Sequence, residues 1–194
     1  MIDLDALPRL CTPRLLVHIP PPEHAPAVLA FFVDNAARFA PFDPPRPAGF
    51  LTLPFWRQRL RQSQDEARFD RGYRFFLRHR HDPGGEVLGS IGLSNLARGP
   101  SQSASVGFAL DGRFEGHGLM REALEGVMAI AWGPLGLHRL EAGHLPDNLR
   151  SAGLLERVGF AIEGYSPRYL YINGAWRDHV RRAALAPTED PPQR

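Results

Sequence analysis

The spacing of apolar residues along the chain changes period several times, and each change marks an element. Leu15, Val17 and Ile19 share one face of an extended segment, which predicts a first strand, and Pro20 to Pro22 end it. Residues 23–37 carry Val28, Leu29, Phe32 and Val33 at helical spacing, with Pro26 tolerated because it falls in the first turn. Residues 41–47 form a rigid proline-rich loop holding Phe42, with Phe50 just beyond, and residues 54–69 read as a second, arginine-rich helix. From residue 73 the period drops to two. Residues 73–80, 87–96 and 103–110 are predicted strands, joined by turns at residues 82–85 and 98–100.

A helix is predicted over 120–132, where Ala123, Leu124, Val127 and Ala131 share a face. A strand over 139–145 and a short helix over 148–158 follow, the helix closed by Gly159 at the common C-terminal glycine position. The end reads as a hairpin, residues 169–172 and 176–185, around Asn173-Gly174, a pair that favours the type I′ turn. A meander of strands followed by a helical crossover implies a mixed sheet and an α/β (α+β) architecture. Residues 12–186 read as one domain, preceded by an extension over 1–11 and followed by a polar, proline-rich tail over 187–194 expected to be disordered.

Composition narrows the picture. An apolar fraction of 43% with 23% charged residues is that of a globular chain. No stretch reaches the roughly 20 apolar residues of a membrane helix, and the first ten residues lack a signal pattern, so a cytoplasmic protein is expected. The single cysteine, Cys11, cannot form an internal disulfide, which agrees with a reducing compartment. The eight histidines show no ligand spacing with acids or cysteine, so no metal is expected. All 23 basic side chains are arginine, and the net charge is +2. Either a compositional bias of the source genome or a functional constraint against side-chain amines accounts for this. The arginines at 57, 59 and 61, then 68, 71 and 74, form either a solvated helix face or a surface for phosphates.

The most informative segment runs from Leu110 to Met120. It leaves a strand and opens a helix, and Gly116 and Gly118 remove side chains where helix-start amides lack partners, so those N–H groups can converge on an anion such as a pyrophosphate. A Walker loop is excluded, since no Gly-Lys-Ser/Thr follows, and the preceding meander excludes a Rossmann unit. Gly-x-Gly before a helix also serves simple tight turns.

The run Glu115-Gly116-His117-Gly118-Leu119-Met120 resembles the Gln-Gly-x-Gly-(aromatic or aliphatic)-Met signature of the RimJ/RimL-type GNAT acetyltransferases. Leu137 to Ala142, Pro146 to Ser151, and Gly159-Phe160 with Glu163-Gly164-Tyr165 repeat that family's order and spacing, and Arg168-Tyr169-Leu170 with Asn173 to His179 are similar to its RimJ branch. The resemblance covers residues 12–185. It departs at Glu115, where the family usually has glutamine; a carboxylate facing pyrophosphate would repel it, so Glu115 is expected to point away.

The resemblance implies a GNAT fold: a mixed, mostly antiparallel sheet of about seven strands flanked by about four helices. It implies acetyl-CoA as cosubstrate, wedged between two splayed strands. Backbone groups of Phe108, Ala109 and Leu110 would bond its pantetheine arm and thioester carbonyl, and Gly116, His117, Gly118, Leu119, Met120 and Arg121 would hold the pyrophosphate. Asn148 would contact the pantetheine; alone, it reads equally as a helix N-cap. Glu141 is the candidate base, with a salt bridge to Arg139 as the other reading, and His144, on the opposite pleat, is a second candidate. The tyrosine acid of other GNAT branches is Leu155 here; Ser151, three residues after Asn148 on the same helix face, is similar to the serine of the RimL-like branch and is the candidate partner of the departing thiolate, or a serine bonding backbone.

The α-amine of a peptide titrates near 8 and is about one-tenth neutral at pH 7, whereas a lysine amine, near 10.4, is neutral less than about a thousandth of the time. A site without an obvious strong base therefore suits a protein N-terminus. The expected acceptor is the alanine-initiated N-terminus of a small-subunit ribosomal protein, with possible ribosome contact and no membrane partner, and the proline loop 41–47 with Phe42 is expected to form one wall of the acceptor mouth. Two other readings stand beside it: acetylation of small amines or antibiotics, and a non-catalytic ribosome-assembly module.

Overall fold

The computed structural model describes residues 7–188. Within them eight strands form one sheet, in the order β1-β2-β3-β4-β5-β6-β8-β7. The strands are β1 Arg9–Cys11, β2 Leu15–His18, β3 Tyr73–His79, β4 Gly89–Ala97, β5 Ser103–Leu110, β6 Arg139–His144, β7 Ala161–Ile172 and β8 Ala175–Leu185. All neighbours are antiparallel except β5 and β6, which are parallel. This is the expected mixed GNAT architecture, with one strand and one helix more than the sequence reading. Asn173 and Gly174 both take positive φ, 47° and 77°, as a type I′ turn requires.

Helices cover both faces of the sheet. On one, α4 (Leu119–Trp132) and α5 (Leu149–Arg157) pack over alternate residues of β2 to β6, including Leu15, Val17, Phe75, Ile91, Val106 and Leu140. α4 supplies Leu119, Ala123, Leu124, Val127 and Ala131 at i, i+4, i+5, i+8 and i+12, a stripe wide enough to bury one whole side. On the other face, α1 (Ala25–Asp34), α2 (Ala36–Phe39) and α3 (Leu53–Arg68) enclose an aromatic core in which Trp56 stacks on Phe32 at 4.5 Å, above Phe76 of β3.

Three features differ from the sequence reading. The stretch read as an extension contributes β1, which pairs with β2 in register Arg9↔His18 to Cys11↔Leu16. The helix expected over 23–37 breaks at Asn35, and its buried face carries Phe31 rather than Val33, which is exposed. The break has a cause. Asn35 Nδ2 donates to Phe31 O and to Asp111 Oδ2, both at 3.0 Å, while its Oδ1 accepts from the Gly112 N–H at 3.3 Å. The last strand but one begins at Ala161, well before residue 169, because β7 is an outermost strand whose mostly exposed residues carry no alternating signal. Residues 189–194 of the expected tail lie outside the described residues.

The Asn35–Asp111 link ties the helical layer to the exit of β5. Asp111 is buried, and Arg113 donates to it through both backbone and side chain. Those hydrogen bonds, with that from Asn35, hold its carboxyl down at about 2 although burial opposes them. A carboxyl depressed on folding stabilises the fold fully above its unfolded value near 4, and that contribution is lost as pH falls towards 2. Thermal unfolding followed from pH 6 to pH 2 is expected to show a steep acid limb in wild type, and Asp111→Asn is expected to flatten part of it. An unchanged limb in the variant would remove Asp111 as its source.

Candidate active site

The site begins where two neighbouring strands part. β5 and β6 pair in parallel only over Ser103↔Arg139, Ala104↔Leu140 and Ser105↔Glu141. From Val106 to Leu110, β5 is paired with β4 alone, and from Ala142 to His144, β6 is paired with β8 alone. One edge of β5, including the backbone of Phe108, Ala109 and Leu110, is therefore open to an extended ligand.

Beyond β5 a single 3₁₀ turn, residues 112–114, is capped by Asp111, and the chain then passes through Gly116 and Gly118 into α4. Both glycines adopt left-handed φ, 80° and 73°, which a β-carbon would strain. The N–H groups of Gly116, His117, Gly118, Leu119, Met120 and Arg121 find no acceptor among the described residues, and they gather at the positive end of a 14-residue helix. Leu119 and Met120 bury their side chains in the core, so packing holds this turn, a candidate anion site, in shape. The Arg121 side chain turns to Glu125 at 2.8 Å, leaving its backbone as the contribution to the cradle.

Glu115 points away from the cradle, as expected, into ion pairs with Arg38 of α2 and Arg150 of α5. A second brace was invisible in the sequence. Glu122, in the first turn of α4, accepts from Thr12 Oγ1 at 2.5 Å, from the Arg14 N–H at 2.9 Å and from Arg14 Nε at 2.6 Å. Arg14 Nη1 also donates to His117 O at 2.8 Å, between the two glycines. These bonds hold the Glu122 carboxyl below its usual range against the effect of burial. The turn between β1 and β2 thus fixes the cradle from residues more than a hundred positions away in sequence.

Asn148 caps α5, its Oδ1 accepting from the Ser151 N–H at 3.1 Å. The N-cap reading is therefore satisfied, while Asn148 Nδ2 and Ser151 Oγ remain without partners among the described residues and available to a ligand. Leu155 is buried in the core at the position where other branches have tyrosine. Glu141 pairs with Ser105 across the last rung before the strands part. Its oxygens are engaged by Arg139 at 2.8 Å and Arg181 at 3.3 Å. His144 is buried on the opposite pleat, bonded to Leu145 O at 2.9 Å and accepting from Arg182 Nε at 3.2 Å, a structural arrangement.

A cavity of about 470 Å³ opens on the α1–α3 face of the sheet, reaching β5 at Gly107, Phe108 and Ala109. Prolines 44, 45 and 47 form one wall, as the proline loop suggested. The aromatic surfaces are Phe32 and Phe50, with Arg46 stacked on Phe50 at 4.6 Å; Phe42 is exposed and takes no part. On the arginine-rich helix Arg57, Arg61 and Arg68 face solvent, whereas Arg59 turns into the cavity and pairs bidentately with Glu66 at 3.0 Å. Among the described residues no cluster of three His, Cys, Asp or Glu side chains is placed to hold a metal, and no helix is long and apolar enough to cross a membrane.

Known proteins share this fold. The family model "Acetyltransferase (GNAT) domain" matches residues 14–161. The [ribosomal protein uS5]-alanine N-acetyltransferase of Escherichia coli (strain K12) is 32% identical over 184 residues, covering 94% of this chain and 93% of its own. The crystal structure of the ribosomal-protein-S5-alanine acetyltransferase from Vibrio fischeri superposes with a TM-score of 0.89 at 29% identity, over 95% of this chain and 100% of that one. Mycobacterium smegmatis RimJ, in complex with CoA-disulfide, superposes with a TM-score of 0.82 at 27% identity, over 89% and 82% of the two chains. A parted β5–β6 pair, a glycine-lined anion cradle and full-length similarity to N-acetyltransferases converge on one assignment: the chain belongs to the GNAT acetyltransferase family.

Proposed function

We propose that this enzyme transfers an acetyl group from acetyl-CoA to the N-terminal α-amine of a protein, in the first instance an alanine-initiated small-subunit ribosomal protein in the cytoplasm. The observation that carries this reading is the similarity to uS5-alanine N-acetyltransferases over nearly the whole chain. The cavity's charge supports it. Its two acids, Asp43 and Glu66, are each occupied by an arginine, so a polycationic drug or polyamine finds no free carboxylate there. This weighs against the small-amine alternative.

Acetyl-CoA supplies the acetyl thioester, and the residues present fit it. The unpartnered N–H groups of residues 116–121 hold the pyrophosphate. The open edge of Phe108 to Leu110 bonds the pantetheine and thioester carbonyl through backbone groups, with a further bond from Asn148 Nδ2. Ser151 Oγ donates to the departing thiolate. Glu141 takes the amine proton through water in this reading, with its oxygens already engaged by Arg139 and Arg181; in the alternative it is an ion pair with no part in the chemistry.

Saturating acetyl-CoA, at about 100 times its Kd, stabilises by about 2.7 kcal/mol, which raises the melting temperature by roughly 5–10 °C for a chain of this size, whereas acetate has no effect. Gly116→Asp, which projects a carboxylate into open space beside the cradle, is expected to lose that rise, while Gly116→Asn, equally able to adopt the left-handed backbone, keeps most of it. Equal shifts in both variants would remove the cradle from the binding site.

Ser151→Ala is expected to lower kcat by about tenfold or more, with the acetyl-CoA-induced melting shift retained. Glu141→Gln is expected to displace the acidic limb of the kcat/KM profile. An unmoved limb assigns Glu141 to the ion-pair network.

The acceptor is tested with short peptides. One beginning with alanine or serine is expected to be acetylated, with a rate rising towards an apparent pKa near 8, the value of its α-amine. The same peptide with a blocked α-amine and a free internal lysine is expected to be inert. Efficient acetylation of spermidine or an aminoglycoside, with none of the alanine peptide, would overturn the reading.

A further inference from the structure

The cavity that meets β5 has an unusual floor. Arg74 on β3 pairs with Gly92 on β4, and Gly92 pairs with Gly107 on β5. Directly paired residues send their side chains to the same face of a sheet. The row therefore holds one guanidinium followed by two positions with no side chain, and a β-carbon at either glycine would meet nothing within 4 Å. The result is a bare trough that starts at Arg74 and ends on the segment of β5 paired on one side only.

The charges lining this cavity do not balance. Asp43 is bound by Arg46 at 2.8 Å, and both oxygens of Glu66 are bound by Arg59. Arg71 and Arg74 are left over. Arg71 is exposed where it lines the cavity, with its guanidinium over the Phe69 ring at 5.4 Å. Among the described residues Arg74 has no ion pair and no hydrogen bond, and its Nε is sealed from solvent without an acceptor. Burial and the nearby Arg59 depress Arg74 to about 10 against the opposing pull of Glu66, which still leaves it cationic at neutral pH. A half-buried guanidinium whose Nε lacks an acceptor is costly to the free protein, and a carboxylate is the group whose geometry and charge match it best.

We propose that Arg74 is a specificity residue that binds an acidic side chain at the second or third position of the acceptor peptide. This rests on the N-terminal acetyltransferase reading and names a sequence preference within it. The distances agree. Two interstrand spacings separate the β3 and β5 backbones by about 9–10 Å. An extended peptide advances about 3.3–3.6 Å per residue, so with its α-amine at β5 its second or third side chain lies over the trough near Arg74. The same positive charge disfavours a cation in the trough, which selects against a basic residue at those positions.

The test uses three peptides that begin with alanine and differ only at positions two and three: aspartate, asparagine or lysine. Wild type is expected to prefer the acidic peptide over the amide by about tenfold in kcat/KM, expressed in KM, and to use the lysine peptide least. Arg74→Gln is expected to bring the acid-to-amide ratio within about twofold, and Arg74→Glu to place the lysine peptide above the acidic one, with the acetyl-CoA melting shift reporting that each variant is folded. A second measurement needs wild type alone: an Nα-blocked acidic peptide is expected to inhibit about tenfold more strongly than its amide counterpart. Equal use of all three peptides by wild type, equal inhibition by the blocked pair, or a preference that survives Arg74→Gln overturns this proposal and leaves N-terminal acetylation standing. Failure to acetylate any of the three, in protein that binds acetyl-CoA, overturns the N-terminal reading itself and this proposal with it.

Discussion

The parallel ladder between β5 and β6 holds for three residue pairs and then ends, because each strand continues with a different neighbour, β4 for one and β8 for the other. A gap inside a sheet leaves backbone donors and acceptors without partners, and such groups are tolerated only where water or a ligand reaches them. Here that single irregularity sets the positions of everything else. The cradle lies at the exit of β5, the cap of α5 at the exit of β6, and the cavity opens against the same stretch of β5 from the other face.

Keeping the gap open and the cradle in place requires ties between elements that are not neighbours in sequence. Asn35 breaks its own helix to reach Asp111, and Glu122 collects three hydrogen bonds from the turn before β2. Glu115 is drawn aside by two arginines. A carboxylate at the mouth of a phosphate site is unfavourable only if it faces the anion. Paired to two guanidinium groups, it contributes to a region that is cationic on balance, and the planar fork of arginine suits such shared pairs better than an ammonium would. A chain without lysine makes all its ion pairs in this way.

Much of this was legible in the sequence, for identifiable reasons. Period-3.6 patterns placed α3 and α4 because each buries one face, and β-rich runs bounded by turns placed the interior strands, although β3 is buried on both faces. Gly116-x-Gly118 and Asn173-Gly174 were readable because their backbones need positive φ. β1 was missed because three residues at a sheet edge carry no pattern, and the start of β7 because an exposed edge strand has no buried face to alternate with. Arg14, Asn35 and Arg74 were out of reach in a different sense. Their significance depends on partners, or a lack of partners, dozens of residues away, and arginines 59 and 74 looked like members of one basic stripe until the fold turned them inward. Phe42 failed for the converse reason: an aromatic in a proline loop looked like a wall, and the loop turned it outward.

The brace between the N-terminal turn and α4 bears on how the protein can be handled. Thr12 and Arg14 follow directly on the edge strand that pairs with β2, and they are among the bonds that orient His117 and the first turn of α4. A chain cut to begin near residue 12 would keep every predicted element and lose the strand that anchors this turn. Leu7 and Leu10, which pack against the main core, would be lost with it. The other end of the chain leaves from β8 beside His138, far along the sheet from the β1–β2 edge, and is the safer place for a tag or a tether.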